Sequence, residues 1–249
     1  MDASLVHRNI DVPPPPQWIE LPWDVTADIL QRLGSEGMLT SAQQVCTTWW
    51  KVCKDPSLWR VIDFSDKKQS PHLNKYTVMC RCAVDRSQGQ LVDLTIQYFG
   101  GDTLLEYITE RSSNLKRLKL RTCFNITGDV ATRMFSKLYH RNLYAFAISK
   151  SMPNLHHLQL FAHWIGNEGL EAILRGCPRL ESLDIRRCFD LDLEGDLGKR
   201  CRQKLNILNS PITLSVIYRG LIAMAEIHLI LLPPDLNFTN TTIIKIMMF

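Results

Sequence analysis

One spacing pattern, L-x-x-L-x-L, recurs four times in the middle of this 249-residue chain and constrains its fold more than any other feature. The copies are Leu91, Leu94, Ile96; Leu115, Leu118, Leu120; Leu155, Leu158, Leu160; and Leu180, Leu183, Ile185. Side chains two apart on a strand share a face, so each copy reads as a short strand with its leucines turned into a core. The first leucines are 24, 40 and 25 residues apart. Two of those intervals match the roughly 20 to 29 residues that a strand and its return segment occupy in a stacked repeat. A unit of that size cannot bury its own apolar face, and the copies must therefore stack on one another.

The phase is fixed twice over. Leu115-Lys116-Arg117-Leu118-Lys119-Leu120 with Cys123-Phe124-Asn125-Ile126 realigns with Leu180 to Ile185 and Cys188-Phe189-Asp190-Leu191 at a constant offset of 65. The pattern is the leucine-rich-repeat signature. Leu170, Ile173, Leu174 and Cys177, closed by Gly176 and Pro178, have helical spacing and a stop, and Leu104, Leu105 and Ile108 suggest an equivalent helix earlier. The 40-residue interval admits two accounts. Leu143, Phe146 and Ile148 could form an additional strand, or Ala145 to Ser151 could be the helix before Leu155. The second is preferred because Pro153 aligns with Pro178, and it leaves 128–142 as an irregular or shortened repeat.

Ahead of the repeats the period is helical throughout. Val25, Ile29 and Leu33, with Leu30 beside them, follow a Leu21-Pro22 start and stop at Gly34. A second helix is expected to carry Leu39, Ala42, Val45, Cys46, Trp49 and Cys53 on one face, with Thr40 or Ser41 as caps, until Asp55-Pro56-Ser57 breaks it and Leu58-Trp59 opens a short third one. A unit of about 45 residues buries a limited fraction of its surface, so part of its apolar content is expected to remain for a partner. Pro13 to Pro16 make the first 16 residues an extended, polyproline-like leader.

The residues of this helical segment carry a resemblance. Trp18-Ile19-Glu20-Leu21-Pro22-Trp23-Asp24-Val25, Ile29-Leu30-Gln31-Arg32-Leu33, Val45-Cys46-Thr47-Thr48-Trp49 and Asp55-Pro56-Ser57-Leu58-Trp59-Arg60 resemble an F-box, in order and at its spacing. With the cysteine-containing repeats, and with Ala145-Phe146-Ala147-Ile148 and the run from Asp192 to Lys199, the chain over 17–201 resembles the plant F-box/LRR proteins of the Skp-interacting type. The resemblance implies an α/β chain in which a three-helix F-box precedes a short leucine-rich-repeat solenoid of strand-helix units on a curved parallel sheet. The expected divisions are a Pro-rich leader at 1–16, the F-box at 17–64, repeats at 65–201 and an atypical C-terminal segment at 202–249. Two departures stand out: the family usually has another full repeat where this chain is short, and the segment after Cys201 does not look like its ending.

The family's role, carried over, is that of a non-catalytic substrate-recognition subunit of an SCF-type ubiquitin ligase. The F-box would dock on the Skp adaptor, and through it on cullin and RING subunits, while the repeats hold an unidentified protein substrate for ubiquitination and degradation. Leu21, Pro22, Ile29, Leu30, Leu33, Val45, Cys46, Trp49, Leu58 and Trp59 would be the adaptor-facing and module-core positions, two roles the sequence does not separate. The alternatives are a scaffold or truncated variant that binds the adaptor without a target, and an RNA-binding repeat protein resting on charge alone.

Composition narrows the remaining classes. The chain is 45% hydrophobic and 22% charged with a mean hydropathy of −0.08, values of a folded soluble chain. Its most apolar stretch, Leu205 to Leu232, is interrupted by Arg219, Glu226 and His228, and the longest uncharged run within it, Leu205 to Tyr218, is short of the roughly 20 residues a spanning helix needs, so no membrane partner is expected. Residues 17–64 carry net −2 and 65–201 net +5, too little to imply nucleic acid. Eight cysteines with no secretory signal point to reduced thiols in the nucleus or cytoplasm.

No phosphate loop, dinucleotide, zinc-protease or nucleophile-elbow motif occurs, and neither cofactor nor metal is expected. Cys80-x-Cys82 with His72 lacks a second pair at zinc spacing, and His156-His157 on a strand would point to opposite faces. Recognition is expected from side chains between the strand leucines: Asp93, Thr95, Gln97; Arg117, Lys119, Arg121; His157, Gln159, Phe161; and Ser182, Asp184, Arg186. One of these strands is wholly basic, which suggests an acidic or phosphorylated determinant on the target, against the plainer reading of a solvated basic edge near Asp93 and Asp184.

Overall fold

A computed structural model describes residues 17–65, 73–121, 142–163, 165–188 and 191–210. Six strands form one parallel sheet in chain order: β1 (Val61–Phe64), β2 (Asp93–Gln97), β3 (Arg117–Arg121), β4 (His157–Phe161), β5 (Ser182–Asp184) and β6 (Ile207–Asn209). Sequential order with every strand parallel requires a return segment after each strand, on one side of the sheet. Helices α4 (Leu73–Ser87), α5 (Asp102–Arg111), α6 (Leu143–Ser151), α7 (Asn167–Gly176) and α8 (Asp196–Lys204) supply those returns. Consecutive members pack side by side along the convex face, leaving the other face of the sheet open.

The register makes the repeat physical. Ile62, Leu94, Leu118, Leu158, Leu183 and Leu208 stand opposite one another on successive strands, and Phe64, Ile96, Leu120 and Leu160 form the next row. Leu94, Leu118 and Leu183 have no exposed surface, and Leu158 and Leu160 almost none. Asparagines stitch the turns together: Asn114 donates to the Gly89 carbonyl and Asn154 to that of Ser113, each at 3.2 Å. The Asn142 Oδ1 accepts the Gly166 N–H at 2.9 Å, and the Asn167 Oδ1 accepts that of Asp192 at 2.9 Å, one repeat on. These bonds satisfy backbone groups that no ladder reaches.

Residues 143–151 are helical, as preferred for the long interval, and no additional strand occupies Leu143 to Ile148. Most of the irregular segment before it, and Cys123, lie outside the described residues. The sheet, however, extends past both sequence boundaries. It starts at Val61, inside 17–64, and ends at Asn209, inside 202–249. Trp59-x-x-Ile62-x-Phe64 is the first turn of the pattern with aromatics in leucine positions, since Ile62 pairs with Leu94. Leu205 and Leu208 repeat Leu180 and Leu183 at an interval of 25.

The N-terminal helices are α1 (Trp23–Arg32), α2 (Gly34–Thr40) and α3 (Thr47–Val52), followed by a 3-10 turn at Pro56–Trp59. Gly34 separates α1 from α2 with φ +69, a conformation that a side chain would strain. The single second helix expected over Leu39 to Cys53 is instead two helices joined by a 3-10 turn at Ala42–Gln44. Thr40 turns its hydroxyl back to the Glu36 carbonyl at 2.8 Å, and Cys46 is extended at φ −159. Cys46, not Thr40 or Ser41, caps α3, its Sγ accepting the Trp49 N–H at 3.4 Å. Asp55 caps the last turn through the Ser57 N–H at 2.9 Å, a bond that holds its carboxyl below the usual range although burial opposes it.

The helical module and the solenoid share one core. Leu30, Val52 and Cys53 are buried in the same apolar cluster as Trp59, Ile62 and Phe64, and α2 packs on both β1 and α4. The Trp59 indole donates to the Cys53 carbonyl at 3.0 Å. Arg86, near the end of α4, donates to that carbonyl at 3.3 Å and to Gln43 at 2.6 Å, with its guanidinium 5.3 Å from the Trp59 ring centre.

Candidate interaction surfaces

Of the large hydrophobics that stay exposed among the described residues, most lie between positions 18 and 50. Val25, Ile29 and Leu33 form one stripe of α1 at i, i+4 and i+8 and are 42%, 38% and 48% exposed. Trp23 and Trp50 (both 48%) and Val45 (47%) add to the uncovered apolar surface of this module. Trp18 is 38% exposed and meets Trp49 edge-on at 5.4 Å. A monomer seldom leaves this much aliphatic and aromatic surface in water within one short segment.

The two roles that the sequence left merged come apart by burial. Pro22, Ile29, Leu33 and Val45 are exposed, with Leu21, Cys46 and Trp49 half-buried. Leu30, Leu58 and Trp59 are at most 5% exposed and belong to the core. The same burial that puts Leu30 inside puts Ile29 outside, because the two are one residue apart on a helix. Trp23, Val25 and Trp50 were not among the residues that the resemblance assigned to the adaptor. Val25 was legible as the first member of the stripe, whereas no spacing distinguished an exposed Trp50 from a packed one.

The second surface is the open face of the sheet. Register sets Asp93, Arg117, His157 and Ser182 in one row and Thr95, Lys119, Gln159 and Asp184 in the next. Gln97, Arg121 and Phe161 form a third row, with Arg186 just beyond the end of β5. All twelve candidate residues are thus brought to one face. Two of them sit deeper than expected, since Thr95 is 7% and Asp184 8% exposed.

The three cations of β3 are not left to repel one another. Arg117 donates to the Asp93 carboxylate on β2 at 2.6 Å. The Arg186 guanidinium grips Asp184 with two bonds, at 3.0 and 2.7 Å, and Gln159 donates to the same carboxylate at 2.9 Å. Burial alone would raise the Asp184 pKa, but these donors leave it lowered. Lys119 is exposed, and its neighbours in register are the uncharged Thr95 and Gln159.

The histidines and cysteines are engaged elsewhere. His156 faces Glu181 at 3.0 Å, while His157 lies on the open face. Cys80 is buried and Cys82 exposed on α4, two residues apart and therefore pointing in different directions. Cys188 donates its thiol to the Leu160 carbonyl at 2.8 Å, and burial pushes its pKa up to about 12.

Comparison with known proteins places both the helical segment and the repeats. An F-box-like family model matches residues 18–65. The F-box protein SKIP19 of Arabidopsis thaliana is 40% identical over 232 residues, which cover 78% of this chain and 77% of that protein. F-box/LRR-repeat protein 23 of the same plant is 41% identical, covering 78% of this chain but 53% of the relative, so the chain spans about half that protein's length. F-box/LRR-repeat protein 21, also from Arabidopsis thaliana, is 36% identical across 78% of this chain and 81% of its own.

Proposed function

The chain belongs to the plant F-box/LRR-repeat family, and from that membership we propose that it is the substrate-receptor subunit of an SCF-type ubiquitin ligase. In this reading the exposed apolar stripe of α1, with Val45 and the neighbouring tryptophans, docks on a Skp adaptor, which brings cullin and RING subunits. The open face of the sheet holds a target protein for ubiquitination and proteasomal degradation. The chain supplies no chemistry of its own. It raises the rate of ubiquitin transfer by holding target lysines near the charged conjugating enzyme, converting an encounter in solution into one of high effective concentration. The single observation carrying the reading is the uncovered Val25, Ile29 and Leu33 stripe within the segment matched by the F-box-like model. The seven described cysteines are all free thiols, which supports work in the nucleus or cytoplasm.

Co-expression with a Skp adaptor, followed by size-exclusion chromatography, tests this. A stoichiometric complex is expected for the wild type, and its loss for the Ile29→Asp, Leu33→Asp double variant. Removal of a central apolar anchor costs about 2 to 4 kcal/mol at a hot spot, a weakening of roughly 30-fold to 1000-fold. Both side chains are exposed, so the variant should keep its circular dichroism. An unchanged complex would overturn the proposal, and a complex that ubiquitinates no trapped protein would favour a scaffold without a target.

A further inference from the structure

We propose that the groove between α5 and α6, on the convex side of the solenoid, receives an amphipathic helix of a second protein, with a basic residue on the edge facing α5 and an acidic residue on the edge facing α6. Such a site is separate from the adaptor stripe on α1, and it leaves the open face of the sheet free for a target. The groove exists because the helices of the convex face are unevenly spaced. Helix α6 packs closely on α7, where a Cβ on Gly176 would overlap the Ser149 carbonyl, and less closely on α5. The gap holds about 330 Å³ and is lined mainly by apolar side chains, with Leu105 from α5 and Leu143, Phe146 and Ala147 from α6. Leu105 is buried, whereas Leu143 is 38% and Phe146 45% exposed, so two large apolar side chains of this groove stay in water.

The chemistry of the walls selects the occupant. An added strand would need backbone N–H and C=O groups to pair with, and two α-helices hold theirs in internal bonds. A helix brings a backbone already satisfied, and its apolar ridge fits a furrow between two others. A second copy presenting the same face would set groove against groove and fill neither. Charge then fixes the edges. Glu106 is exposed on the α5 wall and Lys150 on the α6 wall. Among the described residues neither of these two forms an ion pair, whereas Glu110 already meets Arg111 at 3.0 Å. Opposite charges on opposite walls are complemented by a helix with Lys or Arg along one edge and Asp or Glu along the other. A helix whose two edges carry the same sign meets repulsion from one wall.

The experiment is fluorescence anisotropy of the full-length chain with three labelled amphipathic peptides of about 18 residues, long enough to hold a helix. All share one leucine stripe, and its two edges carry Lys on one side and Glu on the other, Lys on both, or Glu on both. The Lys/Glu peptide is expected to bind tightest. Phe146→Glu should weaken it roughly tenfold or more, and Glu106→Lys, which makes both walls basic, should shift the preference to the peptide with Glu on both edges. The Ile29→Asp, Leu33→Asp variant, which removes the α1 stripe, and Lys119→Glu on the open face should bind as the wild type does. Phe146 and Glu106 are exposed, so variants at either should keep the wild-type urea midpoint. A lower midpoint for Phe146→Glu would mean that the chain's own residues cover the groove, and a dimer that Phe146→Glu dissolves would assign it to a second copy; either overturns the inference. Equal binding of the three peptides, or binding of none, overturns it as well. Binding lost in the Ile29→Asp, Leu33→Asp variant does the same by placing the peptide on α1, and adaptor binding on the same preparation reports on the receptor reading separately.

Discussion

His163 shows how far burial can bend the chemistry of one side chain. It is 4% exposed, its ring 5.3 Å from that of Tyr144, and burial lowers its pKa from 6.5 to about 4 against a hydrogen bond donated to the Leu120 carbonyl that pulls the other way. The folded state thus holds the neutral imidazole. Above pH 6.5 neither state binds the proton and stability is flat. As pH falls from 6.5 toward 4 the unfolded chain takes up a proton that the native state refuses, and about 3 kcal/mol is lost. Asp184, whose pKa is lowered below 3.8, withdraws its contribution only at more acid pH, so the two windows separate. His163→Gln should keep a donor for Leu120 without titrating, and its urea midpoint should fall much less between pH 7 and 4.5 than that of the wild type. The cysteines divide equally sharply. Burial pushes Cys177 up to about 11 and Cys188 to about 12, so in the native chain iodoacetamide should label the exposed Cys82 and spare those two until urea is added.

At the scale of elements, close approach sets the limits. Gly176 ends α7 where a Cβ would overlap the Ser149 carbonyl of α6, the tightest helix pair on the convex face. Gly176→Ala should therefore cost about 1 to 3 kcal/mol, read as a lowered urea midpoint, despite the higher helix propensity of alanine. Strands β2 to β5 and helices α5 to α7 were legible because leucine at fixed intervals leaves few alternatives. The outer strands were harder. Trp59, Ile62 and Phe64 put aromatics at two of three leucine positions, and Leu205 and Leu208 lack the third, where Ser210 stands. Helix α4 went unread although Tyr76, Met79, Cys80, Ala83, Val84 and Ser87 have helical spacing, the last five buried; cysteine, alanine and serine make a weak apolar signal. Which cation on the open face meets which carboxylate was not legible, because Asp93 and Arg117 are 24 residues apart and only register joins them.

The described residues of the two parts share one core, so the helical module and the sheet are expected to unfold as one cooperative body. Trp59 serves both, closing the helical module through the Cys53 carbonyl while occupying the first leucine position of the sheet. Arg86 is the fastening, reaching from α4 to Gln43 and Cys53 with its guanidinium over that indole. Five of the six tryptophans lie between positions 18 and 59, so their fluorescence reports the helical module while far-ultraviolet circular dichroism reports the whole chain. The two urea transitions should coincide in the wild type, as a shared core demands. Arg86→Met keeps the apolar stem but leaves the Cys53 carbonyl with one donor fewer and Gln43 with none from α4, a loss of about 1 to 3 kcal/mol. Because the lost bonds cross between the parts, the fluorescence transition should move to lower urea than the circular dichroism transition. Two transitions that shift together would instead mean that the sheet and the module are coupled through Trp59 and its apolar neighbours alone. In the proposed role, the position of a target relative to the adaptor would depend on that fastening, and a module free to swing on β1 would spread the target's lysines over a larger volume and lower the effective concentration that the role requires.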